Sequence, residues 1–400
     1  MPTQIAIIGA SFAGLNAALE LRRIRPDAED TRITVFSESP DFVFLPSLIW
    51  IPFGNREPDE ISFSLAPLLA SKDIGFEVGT VTAIDPHART IRTNGDASFS
   101  YDFLILASGS TPDFSAFPNF AAQTIVNLPT ALETRAAFER LVSNPGPAVV
   151  GLAPNASLFG VGYEFALNLA HELRERGLGM DRVPITFLTP EPHLGHFGMG
   201  CAPETDRLLQ RYFDEAGIRV RTNAAITGLE AGKLRLAFQE TIEFSFAMIL
   251  PAYNGSPLLR ASGLTDESGL VPVDQKGQHT AFLNVYAAGS CVAVRTPWKT
   301  PIAVGVNKTA LPAEEMAFIA AHNIAAEIEG REPESYPQYA DLPAFLLLDI
   351  GSSGVLIATD NALPPHGAEF VLPSSAARWA KVAYEKYYLW KMRHGFIALP

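Results

Sequence analysis

The first residues that could do chemistry stand at the start of the chain. Gln4-Ile5-Ala6-Ile7-Ile8 is an apolar run leading into Gly9-Ala10-Ser11-Phe12-Ala13-Gly14. A strand, such a turn and then a helix make a pyrophosphate cradle. The first glycine closes the turn, the second position lets the backbone approach the phosphates, and the third lets helix pack on strand. The anion then rests on the helix N-terminus. Here Ser11 holds the second position, a small-residue variant. Gly9, Ser11, Phe12, Ala13 and Gly14 are thus the expected phosphate-binding set. Ser37-Glu38, at the end of a second strand, could hold an adenosine ribose hydroxyl. Cys201 and Cys291 are the only cysteines, too few for a disulfide framework or a cysteine-built zinc site. No His/Asp/Glu spacing suggests a metal, and no Ser–His–acid arrangement can be argued.

These residues need a scaffold. Strands and helices alternate through the first three quarters of the chain, which predicts α/β layers. Strands are expected at 3–9, 31–37, 101–108, 148–152, 183–189 and 219–222, and again just after Leu283. Helices are expected at 12–24, 160–176, 309–329 and 376–396. The stretch from Asp41 to Asp59, rich in Pro and aromatics, reads as a long loop, and Pro145-Gly146-Pro147 opens a second unit. The expected architecture is two Rossmann-like dinucleotide-binding domains plus a C-terminal segment of strand and amphipathic helix. Residues 1–115 and 272–330 are expected to form a first, discontinuous dinucleotide-binding domain, 116–271 the second dinucleotide-like domain, and 331–400 the C-terminal segment.

Composition narrows the classes. The chain has 400 residues, 48% hydrophobic and 18% charged, which excludes disorder and permits a large core. A net charge of −13 argues against nucleic acid as a partner. No charged n-region with an apolar h-region opens the sequence, and no apolar run reaches the about 18 residues of a membrane span. A cytoplasmic location, or a peripheral one on the inner face of the membrane, is expected.

Two later segments extend the nucleotide reading. Tyr101-Asp102-Phe103-Leu104-Ile105-Leu106-Ala107-Ser108-Gly109 and Asn284-Val285-Tyr286-Ala287-Ala288-Gly289-Ser290 are buried strands ending in small residues. With the opening turn they resemble the flavoproteins of the glutathione reductase type. Phe42-Val43-Phe44-Leu45-Pro46-Ser47, Asn155-Ala156-Ser157-Leu158-Phe159-Gly160, Pro190-Glu191-Pro192, Gly195-His196-Phe197-Gly198, Asn307-Lys308-Thr309 and the tail from Trp379 to Gly395 resemble the sulfide:quinone oxidoreductase branch of that superfamily. The resemblance covers nearly the whole chain. It implies non-covalent FAD, a small-molecule electron donor and a quinone-like acceptor. It adds Pro46, Ser47, Val81, Ala107, Ser108, Gly109, Gly289, Ser290, Lys308 and Thr309 to the cofactor-binding set. Ser290 stands where the family has an acid, so its contact with the ribityl chain lacks charge assistance.

The resemblance also implies roles and losses. His196 matches a family histidine and, titrating near neutrality as a solvated loop residue would, could relay a proton. Glu164 could face the flavin and take protons. Lys308, before its helix, would place a cation and a helix dipole at the flavin N1/O2 edge. Family members that oxidise sulfide hold sulfur between paired cysteines. At those positions this chain has Leu158 and Leu346, with Val126 at a third, and none of these can ionise or attack. Leu152 to Pro154 replaces the second glycine turn, which disfavours a nicotinamide dinucleotide. The tail interleaves Arg378, Lys381, Lys386, Lys391 and Arg393 with Trp379, Tyr384, Tyr387, Tyr388 and Trp390, as a membrane-interface helix does. The reading is an FAD-dependent oxidoreductase without the cysteine relay. The alternatives are a type II NADH dehydrogenase-like quinone reductase and a non-catalytic FAD-binding protein.

Overall fold

A computed structural model describes residues 1–201, 203–274 and 276–399. Within them lie eight α-helices: α1 Phe12–Ile24, α2 Leu65–Ala70, α3 Leu128–Ser143, α4 Phe159–Glu175, α5 Pro203–Ala216, α6 Pro257–Ala261, α7 Ala310–Ile328 and α8 Ser375–Arg393. Two parallel sheets carry the architecture. The first runs Val285–Ala287, Phe103–Leu106, Thr3–Ile8, Thr31–Ser37, Gly75–Val78, all parallel. The chain thus returns to its first sheet after a long excursion. The second runs Arg219–Arg221, Ile185–Leu188, Ala148–Leu152, Phe246–Leu250, again parallel. Both are covered by helices, as buried parallel strands require.

The glycines of the first turn are compulsory. Gly9 has φ +105°, and a Cβ there would come within 2.2 Å of the Ala107 carbonyl oxygen. A Cβ on Gly14 would come within 1.9 Å of the Gly9 oxygen. The turn is therefore pressed against the end of strand Phe103–Leu106 as well as against its own helix. Behind it, α1 is buried from Phe12 through Arg22 and packs along the alanine-rich α7.

The expected elements are found within a few residues of their predicted ends. Three features differ from expectation. The stretch after Asp41 is not simply a loop. It holds a short strand, Asp41–Val43, and a 3₁₀ turn, Leu45–Trp50, because Phe42, Phe44, Leu48, Ile49 and Trp50 all bury. Helices α2, α3, α5 and α6 are additional to the expected set. The C-terminal strand is one of three antiparallel strands, Ala344–Asp349, Gly354–Thr359 and Glu369–Pro373, on which α8 packs. No helix among the described residues is long and apolar enough to cross a membrane.

Candidate active site

Two helix N-termini converge at the C-terminal edge of the first sheet, where open α/β sheets bind ligands. Ser11 caps α1 and Thr309 caps α7; neither makes a side-chain cap bond, and neither helix has an acid in its first turn. A Cβ on Gly289, whose φ is +83°, would lie 2.9 Å from the Ala13 Cβ and 3.7 Å from the Ala313 Cβ. The two helix starts therefore meet at the end of strand Val285–Ala287. Two positive dipole ends without an acid make an anion site. Lys308 donates from Nζ to the Ser290 carbonyl at 2.6 Å, and burial brings its amine down to about 8. It keeps its charge at neutral pH. The Ser290 hydroxyl accepts from the Ser110 N–H at 3.0 Å, just past Gly109 at φ +72°. This donor set fits the pyrophosphate and the electron-rich edge of a flavin dinucleotide.

The other predicted cofactor residues distribute around this junction. Phe12 packs edge-on against Phe42 at 5.3 Å and also meets Phe44 and Tyr388. Ala107 and Ser108 form the wall against Gly9. Ser37 accepts from the Gly79 N–H through its carbonyl at 2.8 Å, and Glu38 beyond it is exposed. Val81 is buried at the start of the next strand. Pro46 opens the 3₁₀ turn. Ser47 is buried and its hydroxyl is engaged, donating to Glu385 Oε2 at 2.5 Å.

A second polar cluster joins this turn to α4, α8 and the C-terminal sheet. Glu164 is buried, pairs with Lys381, and accepts from the Asp349 N–H at 2.5 Å. Burial raises its carboxyl and Lys381 opposes the rise. Asp349 accepts from the Trp50 indole N–H at 2.7 Å and from the Gly351 N–H at 2.9 Å. Arg56 grips Glu385 at 3.0 Å, and both Arg56 and Lys381 lie over the Trp50 ring. Two expectations change here. Glu164 is the buried half of an ion pair. Of the five tail cations, Lys381 and Lys391 point inward and do not form an outer charged face. The same inner face of α8 holds Ala377, Glu385, Tyr388 and Met392. That three-to-four spacing, with Lys381 and Glu385 on it, was the signal in the sequence that would have found both residues.

His196 also departs from expectation. It is 5% exposed, packs edge-on against Trp298 at 4.8 Å, and accepts at Nδ1 from the Gly198 N–H at 3.2 Å. Burial lowers its imidazole to about 4. It is neutral at pH 7, so it can exchange hydrogen bonds but does not titrate there as a solvated loop histidine would. Its loop rests on the approach to α7, because the Asn307 N–H donates to the Gly198 carbonyl at 3.2 Å. The loop that carries His196 and the segment that leads to Lys308 thereby meet along one seam.

The second dinucleotide-like turn is occupied by protein. The Asn155 N–H donates to the Ala303 carbonyl at 2.7 Å, and the Ser157 carbonyl accepts from the Lys308 N–H at 3.1 Å. Helix α4 starts against the C-terminal sheet: a Cβ on Gly160 would meet Leu348 at 3.2 Å and Leu346 at 3.8 Å. Leu346 is buried, and Leu158 and Val126 are half-buried. NAD(H) is therefore expected to show no saturable binding below ~1 mM by calorimetry. A micromolar dissociation constant would contradict that. Both thiols are buried: Cys201 is raised well above the usual thiol range, and Cys291, raised to about 11, donates to the Leu106 and Ala288 carbonyls. Neither supplies a thiolate at neutral pH. Among the described residues no group of His, Cys, Asp and Glu is arranged to hold a metal ion.

Two parallel dinucleotide-type sheets, with convergent helix starts and a lysine at one of them, define a flavin-dependent oxidoreductase of the two-dinucleotide-domain class. The chain belongs to the pyridine nucleotide-disulphide oxidoreductase family, which it matches over residues 3–314. It is 34% identical to the sulfide-quinone reductase of Aquifex aeolicus over 406 aligned positions, covering 100% of this chain and 93% of that protein. The solved structure of the Aquifex aeolicus sulfide:quinone oxidoreductase superimposes with a TM-score of 0.95 at 33% identity, covering 99% of this chain and 93% of that one. More distantly, the demethylphylloquinone reductase NdbB of Synechocystis is 25% identical over 89% of this chain and 86% of that one. NDH2 of Plasmodium falciparum shares the fold, with a TM-score of 0.74 at 15% identity, over 99% of this chain and 97% of that one. The chain is an FAD-dependent oxidoreductase resembling the sulfide:quinone reductases.

Proposed function

We propose that this protein passes two electrons from a small donor, through non-covalently held FAD, to a quinone-like acceptor at a membrane surface, without a cysteine sulfur relay. The observation that carries the reading is the meeting of the α1 and α7 N-termini at Gly289 beside Lys308. FAD supplies the two-electron chemistry. The backbone N–H groups of Ser11 to Ala13 would bind the pyrophosphate. Ser37 and Glu38 would hold the ribose, and Ser290 would meet the ribityl chain. Lys308 and the α7 dipole favour negative charge at the N1/O2 edge. Neutral His196 is the candidate proton relay near that seam, and the Glu164–Lys381 ion pair ties α4 to α8. The two buried, protonated thiols support non-covalent attachment. No protein-bound sulfur takes part in this reading, because neither buried thiol supplies a thiolate at neutral pH.

The deciding experiment is an anaerobic titration of the purified protein with sulfide, NADH and a small thiol in turn, followed by a short-chain quinone. Denaturation should release FAD. One donor other than NADH should bleach the flavin, and quinone should restore its colour. No released flavin and no rebinding of added FAD would overturn the reading. Bleaching by NADH would favour the dehydrogenase alternative, and bound FAD that no donor reduces would favour a non-catalytic protein.

The membrane surface is carried by the outer face of α8. Trp379 is 71% exposed and Trp390 46%, with Tyr387 and Phe396 beside them and Phe370 and Leu372 on the neighbouring strand. Deleting α8 would also remove Lys381 and Glu385 from the interior, so substitution is the cleaner test. Each indole offers up to ~2 kcal/mol of burial, so Trp379→Ala with Trp390→Ala should lower partitioning onto anionic vesicles roughly tenfold or more. FAD content should not change. Equal partitioning of both proteins would show that α8 does not contact lipid.

A further inference from the structure

Glu191 has no solvent exposure and stands at the base of the His196 loop. Its Oε2 accepts from the Thr189 hydroxyl at 2.6 Å and from the Tyr163 hydroxyl at 2.7 Å. Its Oε1 accepts from the Phe197 N–H at 2.6 Å. The Tyr163 oxygen in turn accepts from the Gly195 N–H at 2.9 Å. One carboxylate thus holds the backbone on both sides of His196, once directly and once through Tyr163.

That backbone needs holding. Gly195, Phe197, Gly198 and Gly200 have φ of +75°, +52°, +64° and +75°. Phe197 adopts the left-handed region without being glycine, a conformation that persists only where the surroundings enforce it. Its buried ring packs on Tyr163 at 4.8 Å. On the far side, a Cβ on Gly198 would come within 2.2 Å of the Gly305 carbonyl oxygen, and Gly198 binds the Asn307 N–H. A shift of Phe197 would therefore move His196 and the approach to Lys308 together.

We propose that Glu191 is a positioning residue, whose carboxylate sets the 195–198 backbone and through it the placement of His196 and of the Asn307–Lys308 approach to α7. The proposal rests on the reading of that seam as the flavin-facing reaction centre.

The hydrogen bonds also give the device a pH dependence. Burial pushes the Glu191 carboxyl up to about 7, against the bonds from Thr189, Tyr163 and Phe197 that favour its charged form. Once protonated, it must donate to one of its own hydroxyl donors. Either hydroxyl oxygen, which already accepts from a backbone N–H, would then face two donors, and its own proton would lose this acceptor. Other groups around it are His193 and His196 on the loop, Tyr163 on α4, and Cys201 and Asp206 towards α5. Asp206 accepts from the Leu194 N–H at 3.0 Å, and Glu369 reaches Thr205 at 2.5 Å. Tyr163 and Cys201 are raised far above neutrality, and His196 is lowered to about 4. None of those three changes charge at pH 7.

The test is ¹⁵N NMR of the His196 imidazole in the full-length protein as isolated with its flavin, from pH 5.5 to 8.5. A His193→Gln background removes the neighbouring imidazole, and His196→Gln assigns the signal. The expected result is a step in the His196 shift with a midpoint at or above the Glu191 value of about 7, since His193 no longer favours the charged carboxylate, and the step is abolished in Glu191→Gln. Persistence of the step in Glu191→Gln, or its absence from the parent, overturns the proposal. Should Glu191→Gln fail to fold, Tyr163→Phe keeps the carboxyl but deletes one bond to its charged form. The midpoint should then move upward, and an unmoved midpoint overturns the proposal. This signal is independent of turnover, so a flavin that no donor reduces would refute the proposed function and leave this result standing. Where a donor is found, Glu191→Gln should lower kcat about tenfold with KM within about twofold.

Discussion

Replacing Lys381 with alanine is expected to destabilise the protein by about 3–5 kcal/mol at pH 7, the cost of leaving a buried carboxylate without its partner. Glu164 and Lys381 are both almost fully buried, and the pair ties α8 to α4. Glu164 also receives the Asp349 N–H, so the loss spreads to the C-terminal sheet. The pH dependence has a definite sign. The Glu164 carboxyl is already raised from its ordinary value of 4.5, and removing the lysine removes the main opposing influence. A raised carboxyl favours folding at low pH and loses that contribution as pH climbs through its folded value. The deficit of the variant should therefore shrink towards pH 5 and be largest above neutrality. Urea unfolding at several pH values measures it, and Lys381→Met combined with Glu164→Gln should recover most of it. A deficit under about 1 kcal/mol, or one that grows on acidification, would show that the pair is solvated.

The same helix explains which parts of the site the sequence could reveal. The glycine turn was legible because its constraints are local. Strand period, turn and helix start all lie within a few residues, and Gly9 and Gly14 are compelled by contacts a Cβ cannot enter. The convergence of α1 and α7 could be inferred only through the resemblance, since Ala13 and Gly289 are far apart in the chain. The Glu164–Lys381 and Ser47–Glu385 contacts span 217 and 338 residues. Nothing local in Lys381 separates an inward lysine from an interfacial one, except its register with Ala377, Tyr388 and Met392. Read by composition, the tail was a cationic aromatic helix. Read by register, its outer face carries Trp379 and Trp390 and its inner face carries the charge that holds α4. His196 failed for a related reason. Flanking glycines suggested solvent, whereas here they let the loop fold tightly enough to bury the ring.

Sulfide should give negligible quinone reduction through protein-bound sulfur in this chain. Such a route needs a thiolate that attacks and a second sulfur that receives the chain. The positions that the family resemblance assigns to that pair are Leu158, at the start of α4, and Leu346, on the strand lying against α4. Cys201 lies buried after the His196 loop, and Cys291 donates its proton to the carbonyls of Leu106 and Ala288. Both are raised by burial, so the thiolate fraction at neutral pH is minute. The measurement is sulfide-dependent reduction of a short-chain quinone by the native protein and by Cys201→Ala with Cys291→Ala. High native turnover abolished in that variant would show that these thiols carry sulfur after all. High turnover that survives it would show direct attack of sulfide on the flavin. With both proteins inactive and FAD bound, Leu158→Cys with Leu346→Cys becomes the informative variant. If the missing sulfurs are the cause, flavin bleaching by sulfide should appear in that protein and in neither of the others.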